Sequence, residues 1–165
     1  MKAVVVYESH WGNTAAIARA IAEGLGPGAR ALSTAEATGT AIADADLIVA
    51  GAPLLGFRLP SDDMLKSIGA NASKDPVAPD LSHPSMRSWL DALPKGSGRS
   101  AAFETRIWWS PGGATAAIAR GLESAGYRSV AKARRFIVKG KYGPLRDGEL
   151  ERARQWGAEL AQAIG

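Results

Sequence analysis

Five short strand-like runs recur along the chain, and each breaks into polar or small residues before a segment with helical spacing. Ala3–Val4–Val5–Val6–Tyr7 is the first run, and the polar turn 8–14 follows it directly. From Thr14 onward, Ile17, Ala18, Ile21, Ala22 and Leu25 fall on one helical face, and Gly26–Pro27 stops that helix. A second strand is expected around Ala29–Leu32, with Ser33 and Glu36 spaced as a capping box for a short helix. Asp46–Leu47–Ile48–Val49–Ala50–Gly51–Ala52 is almost wholly apolar, as a parallel strand covered on both faces should be. Ser61–Asp62–Asp63 can cap a helix reaching about Ile68. Residues 70–84 read as a surface loop.

The second half repeats the alternation. Met86–Leu93 is expected to be helical, burying Trp89, Leu90 and Leu93. Arg99–Glu104 predicts a fourth strand, and Gly112–Gly113 leads into a helix carrying Ala117, Ile118, Gly121, Leu122 and Ala125 on one side. Val130–Val138 supplies a fifth strand with an interruption near Ala133. Asp147 is placed to cap a last helix that aligns Leu150, Ala153, Gly157, Leu160 and Ile164. Strands alternating with helices in this way predict an α/β fold, a doubly wound parallel sheet with helices on both faces. No repeat, low-complexity tract or linker divides the 165 residues, so one domain is expected.

In such sheets ligands bind beyond the carboxyl ends of the strands, where strand order reverses. With order 2-1-3-4-5, three loops meet there, and each is unusual in this chain. The first, Ser9–His10–Trp11–Gly12–Asn13–Thr14, offers hydroxyls, an amide and a helix N-terminus to an anion. It contains no lysine or arginine, so it would hold a phosphate with neutral donors. The second runs Pro53–Leu54–Leu55–Gly56–Phe57–Arg58–Leu59–Pro60, apolar and closed by proline at both ends. The third, Thr105–Arg106–Ile107–Trp108–Trp109–Ser110–Pro111–Gly112–Gly113, exposes adjacent tryptophans where a loop should be polar. Apolar loops facing one another across a gap suit a planar ring between them.

Composition removes several chemistries. Cysteine is absent, which excludes disulfides, thiolate catalysis and cysteinyl metal sites. The two histidines, His10 and His83, lie outside any carboxylate cluster in sequence, so no metal site is expected. Gly24-x-Gly26-x-Gly28 follows a helix rather than a strand and is not a dinucleotide fingerprint. No phosphate-loop lysine motif and no Gly-x-Ser-x-Gly elbow occurs. No run is long enough to span a bilayer and no signal-peptide pattern opens the chain, so a cytoplasmic address is expected.

Charge is uneven. Residues 1–91 hold 7 lysines and arginines against 10 acidic residues (net −3), whereas residues 92–165 hold 13 against 6 (net +7). Aromatic residues do not interleave with the basic ones, which argues against nucleic acid and for a solvated basic face.

The motifs together resemble the flavodoxin-like family over nearly the whole length, in particular its short single-domain members of actinobacterial type. The resemblance lies in Tyr7–Glu8–Ser9-x-x-Gly12–Asn13–Thr14, Gly51–Ala52–Pro53, Trp89–Leu90–Asp91–Ala92–Leu93–Pro94, Phe103–Glu104–Thr105–Arg106 and the Gly143–Ala153 segment. It implies a three-layer sandwich around a five-stranded sheet of order 2-1-3-4-5. It also implies a flavin mononucleotide (FMN) site at the three loops, and electron transfer to a redox partner protein. FMN-dependent reduction or oxidation of a quinone or protoporphyrinogen-type substrate is the alternative, and a flavin-free interaction module is a third. Two departures stand out. The family has threonine where this chain has Trp11, and its members are usually acidic. Arg58 and Arg106, the charges on the two ring-facing loops, are expected to favour the reduced, anionic ring.

Overall fold

The apolar runs form the middle of a parallel sheet, because strands covered by helices on both faces must be apolar along their whole length. The computed structural model describes residues 1–165. The strands are β1 (Ala3–Tyr7), β2 (Ala29–Ser33), β3 (Leu47–Pro53), β4 (Arg99–Ile107), β5 (Arg128–Ser129) and β6 (Arg134–Val138). Between and after them come α1 (Asn13–Leu25), α2 (Gly39–Ile42), α3 (Asp62–Ala70), α4 (Met86–Asp91), α5 (Thr115–Ser124) and α6 (Glu149–Ile164). The sheet order is β2-β1-β3-β4-β5, with β6 also paired to β4 and every pairing parallel. Of the fifth strand expected over 130–138 only β6, from Arg134, forms; β5 lies before that range, and 130–133, expected to open the strand, joins the two pieces along the same edge of β4.

Two apolar layers sandwich this sheet. Met86 and Trp89 of α4 and Ile118 and Leu122 of α5 cover one face. On the other, Ile17 and Ile21 of α1 and Trp156 and Leu160 of α6 bury the outward faces of β1, β3, β4 and β6. Trp156 closes an aromatic group with Phe103 and Phe136, ring centroids 6.1–6.4 Å apart. Leu150, expected among the buried set of α6, is exposed instead.

Three local expectations changed. Ser33 and Glu36 do form the capping-box pair, each main-chain N–H donating to the other's side-chain oxygen (3.0 and 3.2 Å), but these bonds close a turn, and α2 begins only after Thr38. Asp147 does not cap α6; Gly148 takes that position, and the buried Glu149 does the anchoring. Its carboxylate accepts from the Ile137 N–H at 2.6 Å and from Arg152 at 3.0 Å, tying the sheet edge to the helix start. Burial opposes its ionisation, but these donors prevail and hold its pKa below the usual carboxylate value. β4 runs to Ile107, so Thr105 and Arg106 lie on the strand, not in the loop after it.

Helices α1 and α6 approach through glycine. A Cβ on Gly157 would overlap the Ile21 carbonyl oxygen, and one on Gly24 would overlap that of Arg154. Alanine is the better helix former by about 1 kcal/mol, yet overpacking costs about 1–3 kcal/mol when backbone must move. Gly157→Ala should therefore lower stability by about 1–2 kcal/mol, read as a lower urea midpoint with unchanged slope. A higher midpoint would mean that the two helices can separate freely.

Candidate functional site

At the carboxyl ends of β1, β3 and β4 the chain encloses a cavity of about 460 Å³. Its walls come from the β1–α1 turn, the loop after β3, the end of β4 and, unforeseen, from α3 and the loop after β6. The sequence could not show the last two, because Met64, Ile68, Val138 and Lys141 reach the cavity only through the packing of distant segments.

The turn after β1 leaves its main chain open. None of the N–H groups of His10, Trp11, Gly12, Asn13 and Thr14 donates a hydrogen bond within the protein. Gly12, at φ 92°, makes the left-handed step that starts α1. Five consecutive open donors at a helix N-terminus form a concave positive field suited to an anion. The flanking N–H groups are engaged: Ser9 donates to His83 Nε2 (3.1 Å), and Ala15 to the Ser9 hydroxyl (3.2 Å). The Thr14 hydroxyl pairs with that of Thr105 at 2.7 Å, linking the first loop to β4.

A buried polar cluster holds this turn from behind. The His10 ring meets the Glu8 carboxylate at 2.6 Å through Nε2 and the Asp80 carbonyl at 2.7 Å through Nδ1. Two acceptors on one imidazole require both nitrogens to carry protons. Burial works against that charge, but Glu8 and the Asp80 carbonyl outweigh it, and the His10 pKa lies above its ordinary value. The other Glu8 oxygen accepts from the Met86 N–H at 2.6 Å, at the start of α4. His83 stacks on His10 at 5.3 Å; burial and the neighbouring cation push its pKa down, in keeping with a neutral ring accepting from Ser9. His10 is therefore neither solvated nor a side-chain donor to the cavity. His83, for which the sequence suggested no partner, is its support. Residues 70–84 are correspondingly more than a surface loop. Asp80 N–H donates to the His10 carbonyl (2.7 Å), and the Trp11 indole donates to the Val77 carbonyl (3.2 Å).

The two apolar loops also lie where they can frame a ring. Leu54 N–H donates to the Thr105 carbonyl at 2.8 Å, docking the second loop on β4. Leu55 and Arg58 then exchange main-chain hydrogen bonds around Gly56 (φ 56°) and Phe57 (φ 66°). Left-handed φ at both central positions is the signature of a type I′ turn, and a phenylalanine there is strained. The turn projects Phe57, 57% exposed, at the cavity mouth. Gly112, at φ 85°, lies so close that a Cβ would overlap the Phe57 carbonyl.

Trp109 lines the cavity, whereas Trp108 does not; both are exposed, so neither packs inward. Gly12, Gly112 and Gly113 stay off the cavity wall and act through backbone shape. Pro53, Leu54, Leu55, Gly56, Phe57, Thr105 and Arg106 do line it. Arg106 is not a free charge near a ring. It is buried, bonds Glu104 at 2.9 Å and the Gly112 carbonyl at 3.0 Å, and also reaches the Ser110 carbonyl. Glu104 in turn accepts from the Ala114 N–H at 2.9 Å at the start of α5. The pair braces the third loop, and its net charge is near zero. Arg58 is exposed and forms no ion pair.

No protein-family description and no curated relative matches the chain. Solved structures do. A flavodoxin from the domain Archaea shares 22% identity with a TM-score of 0.67, each chain covered over 99%. Flavodoxin 1 of Bacillus cereus is similar at 21% identity, TM-score 0.67, with 98% of both chains covered. The chain has a flavodoxin-like fold. The Agrobacterium tumefaciens WrbA-like flavodoxin also superimposes, at 19% identity and a TM-score of 0.58 over 99% of this chain and 96% of that one. No helix of this flavodoxin-like chain is long and apolar enough to cross a membrane.

The paired histidines give stability a defined pH dependence. His10, with its folded pKa raised, contributes fully below the ordinary value near 6.5 and loses that contribution as pH rises through its folded pKa. His83, with its folded pKa lowered, contributes fully above 6.5 and loses it as pH falls toward its own folded value. The urea midpoint should therefore peak near pH 6.5. His10→Gln should flatten the alkaline limb and His83→Gln the acid limb. A single monotonic slope between about pH 5 and about pH 8 would show that the cluster does not titrate this way.

Proposed function

We propose that the cavity binds FMN and that the protein passes electrons between the bound flavin and a redox partner protein or a small quinone-like acceptor. The observation that carries this reading is the run of five open N–H groups from His10 to Thr14 beside a cavity walled by the two apolar loops. An anionic tail and a planar apolar head are what that combination recognises.

In this reading the main-chain N–H groups of residues 10–14 hold the phosphate, joined by the Ser9 and Thr14 hydroxyls and the Asn13 amide. The ring lies between the Leu54–Phe57 turn and Trp109. Trp108 contributes to the rim and not to stacking. The Gly56, Phe57, Trp108 and Trp109 N–H groups also donate to nothing within the protein, and supply polar contacts to the edge of a heterocycle. Once bound, the flavin supplies the redox chemistry, and this chain binds it, orients it and limits water around it. Because Glu104 neutralises Arg106, that guanidinium acts far less on the ring than a free one would, and Arg58 lies off the cavity wall. Exposed Phe57, Trp108 and Trp109 form the surface an electron acceptor meets.

Titration of the purified protein with FMN and with riboflavin, followed by tryptophan fluorescence, tests the assignment. FMN should quench strongly and bind far more tightly than riboflavin. Thr14→Val should weaken FMN at least about tenfold, since it removes a phosphate donor and strands the Thr105 hydroxyl. Trp109→Ala should remove the largest share of the quenching and Trp108→Ala little of it. Equal affinity for the two flavins, or no binding of either, would overturn the assignment.

A further inference from the structure

Among residues 8–18, which make the anion-binding turn and start α1, the only charged side chains are those of the buried Glu8–His10 pair. Arg19, the next cation in sequence, stands over the Tyr7 ring at 5.9 Å. Arg106, which shares the cavity, is neutralised by Glu104. A phosphate monoester carries nearly two negative charges near neutral pH, and neutral donors alone do not balance them.

One cation does reach this end of the cavity, from the far end of the chain. The loop between β6 and α6 folds over the turn so closely that a Cβ on Gly143 would sit 2.7 Å from Asn13 Oδ1. That places Lys141 on the cavity wall with Ser9, Asn13 and Thr14. Its ammonium lies 5.2 Å from the centre of the Trp11 ring and 5.3 Å from that of Tyr142. The two rings meet edge to face at 5.3 Å, and the Tyr142 hydroxyl donates to Asp75 at 2.8 Å. Asp75 also approaches Lys141, at 3.7 Å. Aromatic faces favour a cation without cancelling its charge, whereas the Asp75 carboxylate offsets part of it. Trp11 thus takes the place of a hydroxyl in the turn and supplies one wall of a lysine seat.

Given a flavin phosphate in this cavity, we propose that Lys141 is its charge partner. It selects the phosphorylated flavin over the unphosphorylated one, and Asp75 moderates its strength. Binding of the phosphate is then partly ionic and sensitive to salt, although the turn that cradles it is neutral.

The test compares wild type with Lys141→Gln, Lys141→Arg and Asp75→Asn, using FMN and riboflavin as probes. Lys141→Gln should weaken FMN about tenfold at low salt and leave riboflavin within about twofold. Lys141→Arg should retain most FMN affinity, and Asp75→Asn should increase it. Raising salt from about 50 to about 500 mM should weaken FMN in wild type and much less in Lys141→Gln. Equal losses for both flavins would make Lys141 a structural support and overturn the proposal, as would unchanged FMN binding in Lys141→Gln. A second probe is independent of flavin: the thermal shift caused by inorganic phosphate against chloride at matched ionic strength. That shift should be present in wild type and lost in Lys141→Gln. Absence of FMN binding in wild type refutes the flavin function. Equal phosphate shifts in wild type and Lys141→Gln refute the role of the lysine by themselves.

Discussion

Five neighbouring main-chain N–H groups without a partner in the protein, four of them on residues that line the cavity, are a costly arrangement, and much of the structure around residues 8–14 serves to maintain it. Left to itself, the turn could close these donors on nearby carbonyls or side-chain oxygens, as most chains do. The buried Glu8–His10 pair prevents this from behind: one carboxylate grips both the imidazole and the first N–H of α4. The Asp80 carbonyl and N–H close a second pair of bonds on His10, and His83 takes the N–H of Ser9. The donors that remain open are those of residues 10–14, beside the cavity.

The same division between bracing and presenting runs through the other loops. Glu104 and Arg106 hold the third loop to the start of α5, and so consume a charge that would otherwise act on a bound ring. The strained Leu55–Arg58 turn is fixed by two main-chain bonds and by the glycine contact with Gly112, and it leaves Phe57 in solvent. Backbone strain of this type costs roughly 1–3 kcal/mol per residue and is sustained only when the surroundings over-determine it. Ion pairs here set geometry; what remains exposed at the mouth is aromatic.

Electrostatically, the chain departs from an acidic protein with the same fold. Its excess of basic residues lies in the second half, on β4, β5, β6 and the loops that flank them, and several basic residues there and on α6 are engaged: Arg134 with Glu159, Arg154 with Glu23, Arg146 and Arg152 with Glu149. Lys141 differs from them in facing the cavity. The positive charge is therefore divided between pairs that knit α6 to the rest of the fold and groups such as Lys141 that face the cavity.

Sequence by itself determined the layered fold, because it follows from short-range patterns: apolar strands, helical spacing and stops such as Gly26–Pro27. It also located the three loops, since they must follow β1, β3 and β4 at the switch point of such a sheet. It could not determine how the loops are braced. Glu8 and Met86, His10 and Asp80, Ser9 and His83, and Asn13 and Gly143 are separated by 70 or more residues and meet only through packing. The same is true of Lys141, which lies among several exposed basic residues with nothing in its local sequence to set it apart. Arg106 shows the converse: its position in the loop order was legible, but the neutralising contact with Glu104 depends on β4 extending past its expected end. Periodicity reports which face of an element is buried. Which polar groups end up sharing a buried space, and with what charge, is decided when elements distant in sequence close on one another.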